Sequence, residues 1–187
     1  MKLAILAEDV SDCDVLKNVV RLLEPGIGFS FKAKGYNGCS GLLRKGFRDM
    51  KSWHQQGVDR FLICHDADSN SPEDVCAKVK RDVIRKSGAT CLSCIAVPVE
   101  EIEAWLVADE SAIKTVLPKF NFSGHPNPES INSPKEWLEK KSRAQNGRPL
   151  YAHKVFNPRV AEVLDLSVVK KKCPSFEKFA SEFSSII

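Results

Sequence analysis

The chain has 187 residues, 43% of them apolar and 28% charged, with a net charge of +4. That length and mixture fit about one globular domain and exclude a disordered chain, a coiled coil and a collagen-like repeat. No apolar run approaches the roughly 18–20 residues of a membrane-spanning helix. The N-terminal apolar stretch, residues 3–7, is also too short for a signal peptide. A cytoplasmic location with no membrane association is therefore expected.

Residues 3–7 are a short apolar run ending in acids, which predicts a buried, central parallel strand. Val15, Val19, Leu22 and Leu23 then recur at helical spacing, with Ser11 or Asp12 as the expected N-cap and Pro25-Gly26 as the stop. A second strand is predicted over 29–33. A second helix runs through Leu42, Leu43, Phe47, Met50 and Trp53 and ends at Gly57. Residues 60–64 predict a third strand, again followed by acids; 72–86 a third helix; 92–97 a fourth strand; and 101–108 a fourth helix. Strict alternation of strand and helix predicts an α/β fold: a mainly parallel sheet of about four strands flanked by helices. After Leu117, Pro118, Pro126, Pro128, Pro134 and Pro149 break the chain into short pieces, with helices predicted over 134–143, 158–164 and 175–183. Residues 118–187 read as a helical appendage packed on a 1–117 core, within the same domain.

The charge is unevenly spread. Lys32, Lys34, Arg44, Lys45, Arg48 and Lys51 face one acid, Asp49, in a first basic segment. A second, from Lys135 to Lys172, holds ten bases against four acids, and the remainder of the chain is net acidic. Two basic segments and an acidic remainder suit a protein that grips a polyanion and gathers carboxylates in one site. Lys32, Lys34, Arg44, Lys45 and Arg48 are the candidate nucleic-acid contacts. The seven cysteines read as reduced thiols. Cys91 and Cys94 form a C-x-x-C, but residues three apart on a strand point to opposite faces and cannot share a zinc ion.

In a parallel sheet, ligands bind beyond the carboxyl ends of the strands. Three such ends carry acids here: Glu8, Asp9 and Asp12 after the first strand; Asp66 and Asp68 after the third; Glu100, Glu101 and Glu103 after the fourth. Acids held together repel one another, and a divalent cation between them removes the repulsion. Oxygen ligands in this number suit Mg²⁺ or Mn²⁺. Helix-dipole stabilisation is the structural alternative for Glu101 and Glu103. Ile102 and Leu106 are expected to face the core, and Trp105 to pack rather than stack on a base. Neither Tyr36 nor Tyr151 sits in a context that suggests a covalent nucleophile. His65 is expected to be a packed strand-end histidine.

These residues carry a family resemblance. Leu3-Ala4-Ile5-Leu6-Ala7-Glu8-Asp9-Val10-Ser11-Asp12 is similar to the first motif of the Toprim fold, a glutamate after strand one, and His65-Asp66-Ala67-Asp68 resembles its D-x-D motif. The sequence departs at Asp9, where glycine is usual. The segments around Pro98–Asp109, Tyr151-Ala152-His153-Lys154 and Cys173-Pro174-Ser175-Phe176 resemble a family of Toprim-like prokaryotic proteins often encoded beside ATPases in anti-phage loci. The resemblance implies a Toprim/Rossmann-like core and metal-dependent phosphodiester hydrolysis of DNA or RNA. It implies that Glu8 and Asp12 bind metal or orient water, that Asp66 and Asp68 are metal ligands, and that Glu101 and Glu103 complete the site. It makes Lys154 the candidate basic residue beside the phosphate. A separate ATPase subunit and a second copy of the chain are the candidate protein partners.

Two other readings stand beside this one. A Toprim-like subunit could serve an ATPase as sensor or regulator with little catalysis of its own. A phosphoacceptor receiver would also place acids after strand one and strand three, but it has no role for Glu101 and Glu103.

Overall fold

A computed structural model describes every residue of the chain except Gln145. Four strands, β1 (Lys2–Ala7), β2 (Ser30–Gly35), β3 (Arg60–Cys64) and β4 (Leu92–Ala96), form one parallel sheet in the order β2-β1-β3-β4. Helices α1 (Val10–Leu23), α2 (Cys39–Gln55) and α3 (Pro72–Val79) connect them, and α3 continues as a π-helical segment, Lys80–Arg85. The α/β architecture and the central position of β1 agree with the sequence.

Side chains alternate across the sheet, so β1, β3 and β4 each supply two cores. Leu3, Ile5, Leu62, Cys64, Cys94 and Ala96 face α1 and the C-terminal helices. Ala4, Leu6, Phe61, Ile63 and Ile95 face α2 and the π-helical segment. The chain steps from β1 to β2 in one direction and then back past β1 to β3. Right-handed crossovers require the connecting helix to change face at that reversal, and α1 and α2 do lie on opposite faces. The reversal leaves a crevice between the carboxyl ends of β1 and β3, where open α/β sheets bind ligands. Cys94 belongs to one core while Cys91 packs against the other, so the C-x-x-C is split by the sheet. All seven cysteines are free.

Several predicted bounds need correction. The N-cap of α1 is Asp9, not Ser11 or Asp12: its carboxylate accepts from Ser11 N–H at 2.9 Å, and Asp12 accepts from Asp9 N–H at 2.9 Å, a reciprocal capping box. The first core residues of the predicted helix therefore lie a full turn inside it. β2 lies at 30–35 rather than 29–33, because Gly35 can pass tightly against α1. A Cβ there would stand 2.4 Å from Val10 N. The helix predicted over 101–108 is shorter, α4 (Glu103–Val107), and is followed by α5 (Glu110–Val116), which the sequence reading did not identify.

In the C-terminal third, α6 (Pro134–Lys141), α7 (His153–Ala161), α8 (Leu166–Lys172) and α9 (Pro174–Ser184) follow a short 3₁₀ turn. Pro158 lies inside α7 rather than opening a helix, and α8 was not anticipated. These helices share the larger core: Phe176, Phe179 and Phe183 are buried in it with Trp105. Trp105 stacks on Phe179 at 5.5 Å between ring centroids and donates from Nε1 to Ser175 Oγ at 2.8 Å, as a packing residue does. Among the described residues, no helix is long and apolar enough to cross a membrane.

Candidate functional site

Glu8 is the first residue beyond β1 and Asp66 the second beyond β3, so the two flank the crevice. Glu8 Oε1 accepts from Asp66 N–H at 3.1 Å and lies 3.2 Å from His65 Nδ1. The Glu8 carbonyl is held by N–H groups of Tyr36 and Gly38, at 3.1 and 3.0 Å, from the loop after β2. Gly38 takes a φ of 109°, which a side chain rarely tolerates. Burial pushes the Glu8 carboxyl above its usual range, and His65 partly offsets that shift.

Asp12 reaches the same crevice from the first turn of α1. It is 8% exposed. Its carboxyl is raised to about 7, chiefly by burial and also by the charges of Glu103, Asp9 and Glu8, against the lowering effect of the bond from Asp9 N–H. Asp66 is raised well above the carboxylate range by burial, then by Asp12, Glu8 and Glu103. Its Oδ1 is buried and has no hydrogen-bond partner among the described residues.

Glu103, at the start of α4, is 5% exposed and raised by burial. Its Oε1 accepts from Asn157 Nδ2 at 2.9 Å, and Asn157 in turn accepts from the Tyr151 hydroxyl. The C-terminal helices thus hold one acid of the site in place. Glu101 is held differently: Lys135 donates to it twice, from N–H to Oε2 and from Nζ to Oε1, each at 2.9 Å.

Glu8, Asp12, Asp66, Glu101 and Glu103 therefore line one cleft of about 190 Å³, with Asp9, Lys135 and His153 at its mouth. Acids separated by up to 95 positions in sequence meet there. Asp68 is exposed on the following loop with φ at 46°. Its carboxylate lies within 4.8 Å of ligand atoms of Glu8 and Cys39, so it flanks the cleft without lining it. Lys154 is exposed and is not among the lining residues. It stands close enough to Asp9 to add its attraction to the hydrogen bonds from Ser11 that lower that carboxyl.

The first basic segment lies apart from the cleft, on β2 and α2. Lys34 pairs with Asp49 at 2.9 Å, Lys32 bonds to Gln56, and Arg44 donates to Ser40 O at 3.1 Å. Lys45 and Arg48 are exposed on the outer side of α2. Four residues at or beside the cleft were not singled out in the sequence: Lys135, His153, Gly38 and Cys39. Lys135 and His153 arrive on α6 and α7, and no spacing rule connects them to strand ends more than thirty residues away.

A family model described as "Domain of unknown function (DUF4276)" matches residues 39–183, and the chain belongs to that family. The matched region takes in Asp66, Asp68, Glu101, Glu103 and the C-terminal helices, and begins at α2, so that Glu8 and Asp12 lie outside it. No curated protein and no solved structure matches the chain.

Proposed function

We propose that this chain is a divalent-cation-dependent phosphodiesterase of the Toprim nuclease type, acting on DNA or RNA. The observation that carries this reading is the buried, unpartnered Oδ1 of Asp66, in a cleft shared with Glu8, Asp12 and Glu103. A purely structural cluster would satisfy that oxygen with a Lys, an Arg or an amide. Among the described residues, the one lysine lining the cleft, Lys135, is spent on Glu101. Uncompensated carboxylate oxygens of this kind are what Mg²⁺ or Mn²⁺ requires.

Glu8, Asp12 and Asp66 would hold the ion, with Asp68 as a further oxygen at the flank. When bound, it supplies positive charge for the phosphate and acidifies a coordinated water. The chain's own contributions are distinct. Asn157 and Tyr151 fix Glu103. The capping box fixes Asp12, and the Asp66 N–H fixes Glu8; the ligand atoms that already lie within 4.8 Å of one another are those of Glu8, Asp68 and Cys39, so Asp12 and Asp66 would draw in as the ion binds. His153 lines the cleft beside them, where its ring N–H could reach a phosphate oxygen. α2 begins at the cleft and carries Arg44, Lys45 and Arg48 outward along its surface, a track for the rest of a polyanion.

The test is incubation of purified chain with plasmid, single-stranded DNA and RNA, with Mg²⁺ or Mn²⁺ and with chelator. Cation-dependent cleavage by the wild type, reduced to background in Asp66→Ala, is the expected result. No cleavage of any substrate under any condition, or cleavage indifferent to Asp66→Ala, refutes it. Stable labelling of Asp66 by acetyl phosphate without cleavage would favour the receiver alternative instead.

A further inference from the structure

The two edges of the sheet are built differently. β2, at one edge, reads Ser-Phe-Lys-Ala-Lys-Gly, and Lys32 and Lys34 place charge along it. Charge of this kind protects an edge strand from pairing with another chain. β4, at the opposite edge, reads Leu-Ser-Cys-Ile-Ala, continues into Val97, and carries no charge. Alternate residues of β4 turn towards β3. Leu92 N–H donates to Asp59 O at 2.9 Å, Ala96 O accepts from His65 N–H at 3.1 Å, and Pro98 O accepts from Ala67 N–H at 3.0 Å. In a parallel ladder the intervening residues aim their N–H and C=O groups away from that neighbour. Ser93, Ile95 and Val97 therefore present an outward row of backbone donors and acceptors, and among the described residues no other strand pairs with it.

This row opens into a cleft of about 240 Å³ between α3 and α9. Ile95, Val97 and Val99 lie along it, with Cys76 and Phe179 on the flanking helices. At its rim Glu73 and Glu182, both exposed, face a single cation, Lys178. A further acid there, Glu129, is already occupied by Ser175, whose N–H reaches it at 3.1 Å.

We propose that the free edge of β4 is a docking site for an extended segment of another protein, apolar at alternate positions and carrying Lys or Arg at its ends, which adds a fifth strand to the sheet. Backbone pairing supplies the affinity in this mode, and the flanking pockets supply the selectivity. A second copy of this chain fits less well. An isologous contact would set the acidic rim of one copy, Glu73 and Glu182, against the same rim of the other. The proposal does not depend on the carboxylate cleft, and its test needs no metal.

The probe is a fluorescein-labelled peptide of about nine residues, a usual strand length, reading Lys-Arg-Val-Thr-Val-Ser-Ile-Arg-Lys. It is titrated into the full chain beside two controls, one with Glu at both ends and one N-methylated at alternate residues. The basic peptide should bind at least about tenfold more tightly than either control, with charge setting the preference between ends. On binding, the amides of Ser93, Ile95 and Val97 should gain protection from solvent exchange. Glu73→Lys combined with Glu182→Lys, both at exposed positions, should reverse the preference towards the Glu-ended peptide. Val97→Pro, which removes an outward donor and spares the ladder to β3, should weaken binding of every peptide. Absence of binding, equal binding of the N-methylated control, or protection confined to other segments overturns the proposal. So does a dimer in solution that Val97→Pro dissociates, since the edge would then belong to a second copy.

Discussion

Asp12→Asn should stabilise the metal-free chain, and the gain should grow with pH. The Asp12 carboxyl is raised from 3.8 to about 7 in the folded protein, first by burial and then by neighbouring acids. A raised carboxyl contributes stability that is complete below its unfolded pKa and is lost as pH climbs through the folded one. Near pH 8 the lost contribution is about three pKa units at 1.36 kcal/mol each, or ~4 kcal/mol. Near pH 5 only about 1.6 kcal/mol is lost, because the folded carboxyl still holds its proton. Asn keeps an oxygen to accept from Asp9 N–H and so preserves the capping box. The larger figure is a ceiling, since neutralising Asp12 also eases the repulsion felt by Glu8, Asp66 and Glu103. For a chain of this length 1 kcal/mol moves Tm by about 2–4 °C, so a rise of up to roughly 8–16 °C is expected near pH 8 and much less near pH 5. Saturating Mg²⁺ should stabilise the wild type by about 2.7 kcal/mol at a hundred times Kd, raising its Tm, and should do far less for Asp12→Asn. Thermal melts at both pH values, with chelator and with Mg²⁺, measure all four terms. The reasoning fails if Asp12→Asn is no more stable than wild type near pH 8, or if Mg²⁺ stabilises both proteins equally.

Asn157→Leu should destabilise the chain by about 1.5–3 kcal/mol, the range for a lost hydrogen bond to a charged group, and by more at high pH, because ionised Glu103 would be left buried without its donor. Urea titrations near pH 5.5 and pH 8 check this, and an equal loss at both would show that Glu103 is not the group affected. Trp105→Ala should cost about 3–5 kcal/mol, since the indole is fully buried against Phe176 and Phe179. A shift in the urea midpoint equivalent to less than about 1.5 kcal/mol would mean that α9 can collapse into the space.

The α/β core could be read from the chain because β1, β3 and β4 are short apolar runs with acids beyond them, and α1 and α2 carry a 3.6-residue stripe. β1 and β3, both buried on two faces, were the plainest. β2 was displaced because Phe29 looks like a strand residue, whereas the strand begins at Ser30, where its N–H meets the Met1 carbonyl at 2.8 Å. The missed helices failed for another reason. α5 and α8 have seven residues each, too few for a stripe to repeat. Their start signals were nevertheless present: Asp109 caps Ala112 N–H at 3.1 Å, and Asp165 caps Ser167 N–H at 2.9 Å. Asp109 also accepts from Asp165 N–H at 2.8 Å, so one buried carboxylate organises the starts of both helices. Capping residues carry more information than periodicity in segments this short.

The acids were visible in the sequence because topology makes strand ends equivalent: a parallel sheet brings residues 8 and 66 together whatever lies between them. What surrounds them was not visible, because it comes from the other end of the chain. Asn157, Tyr151, Lys135 and His153 belong to α6, α7 and the loop before α7, and nothing in their spacing relates them to β1 or β3. The distinction has a chemical consequence. Strand ends supply the negative charge, which repels itself, while the C-terminal helices decide how each acid bears that repulsion. Glu101 receives a lysine and is neutralised, Glu103 receives an amide and stays fixed, and Asp66 Oδ1 has no partner among the described residues. A segment that served only to cover the core would have no reason to treat three neighbouring carboxylates so differently. The graded treatment is the physical argument for reading residues 118–187 as part of the site rather than as an appendage to it.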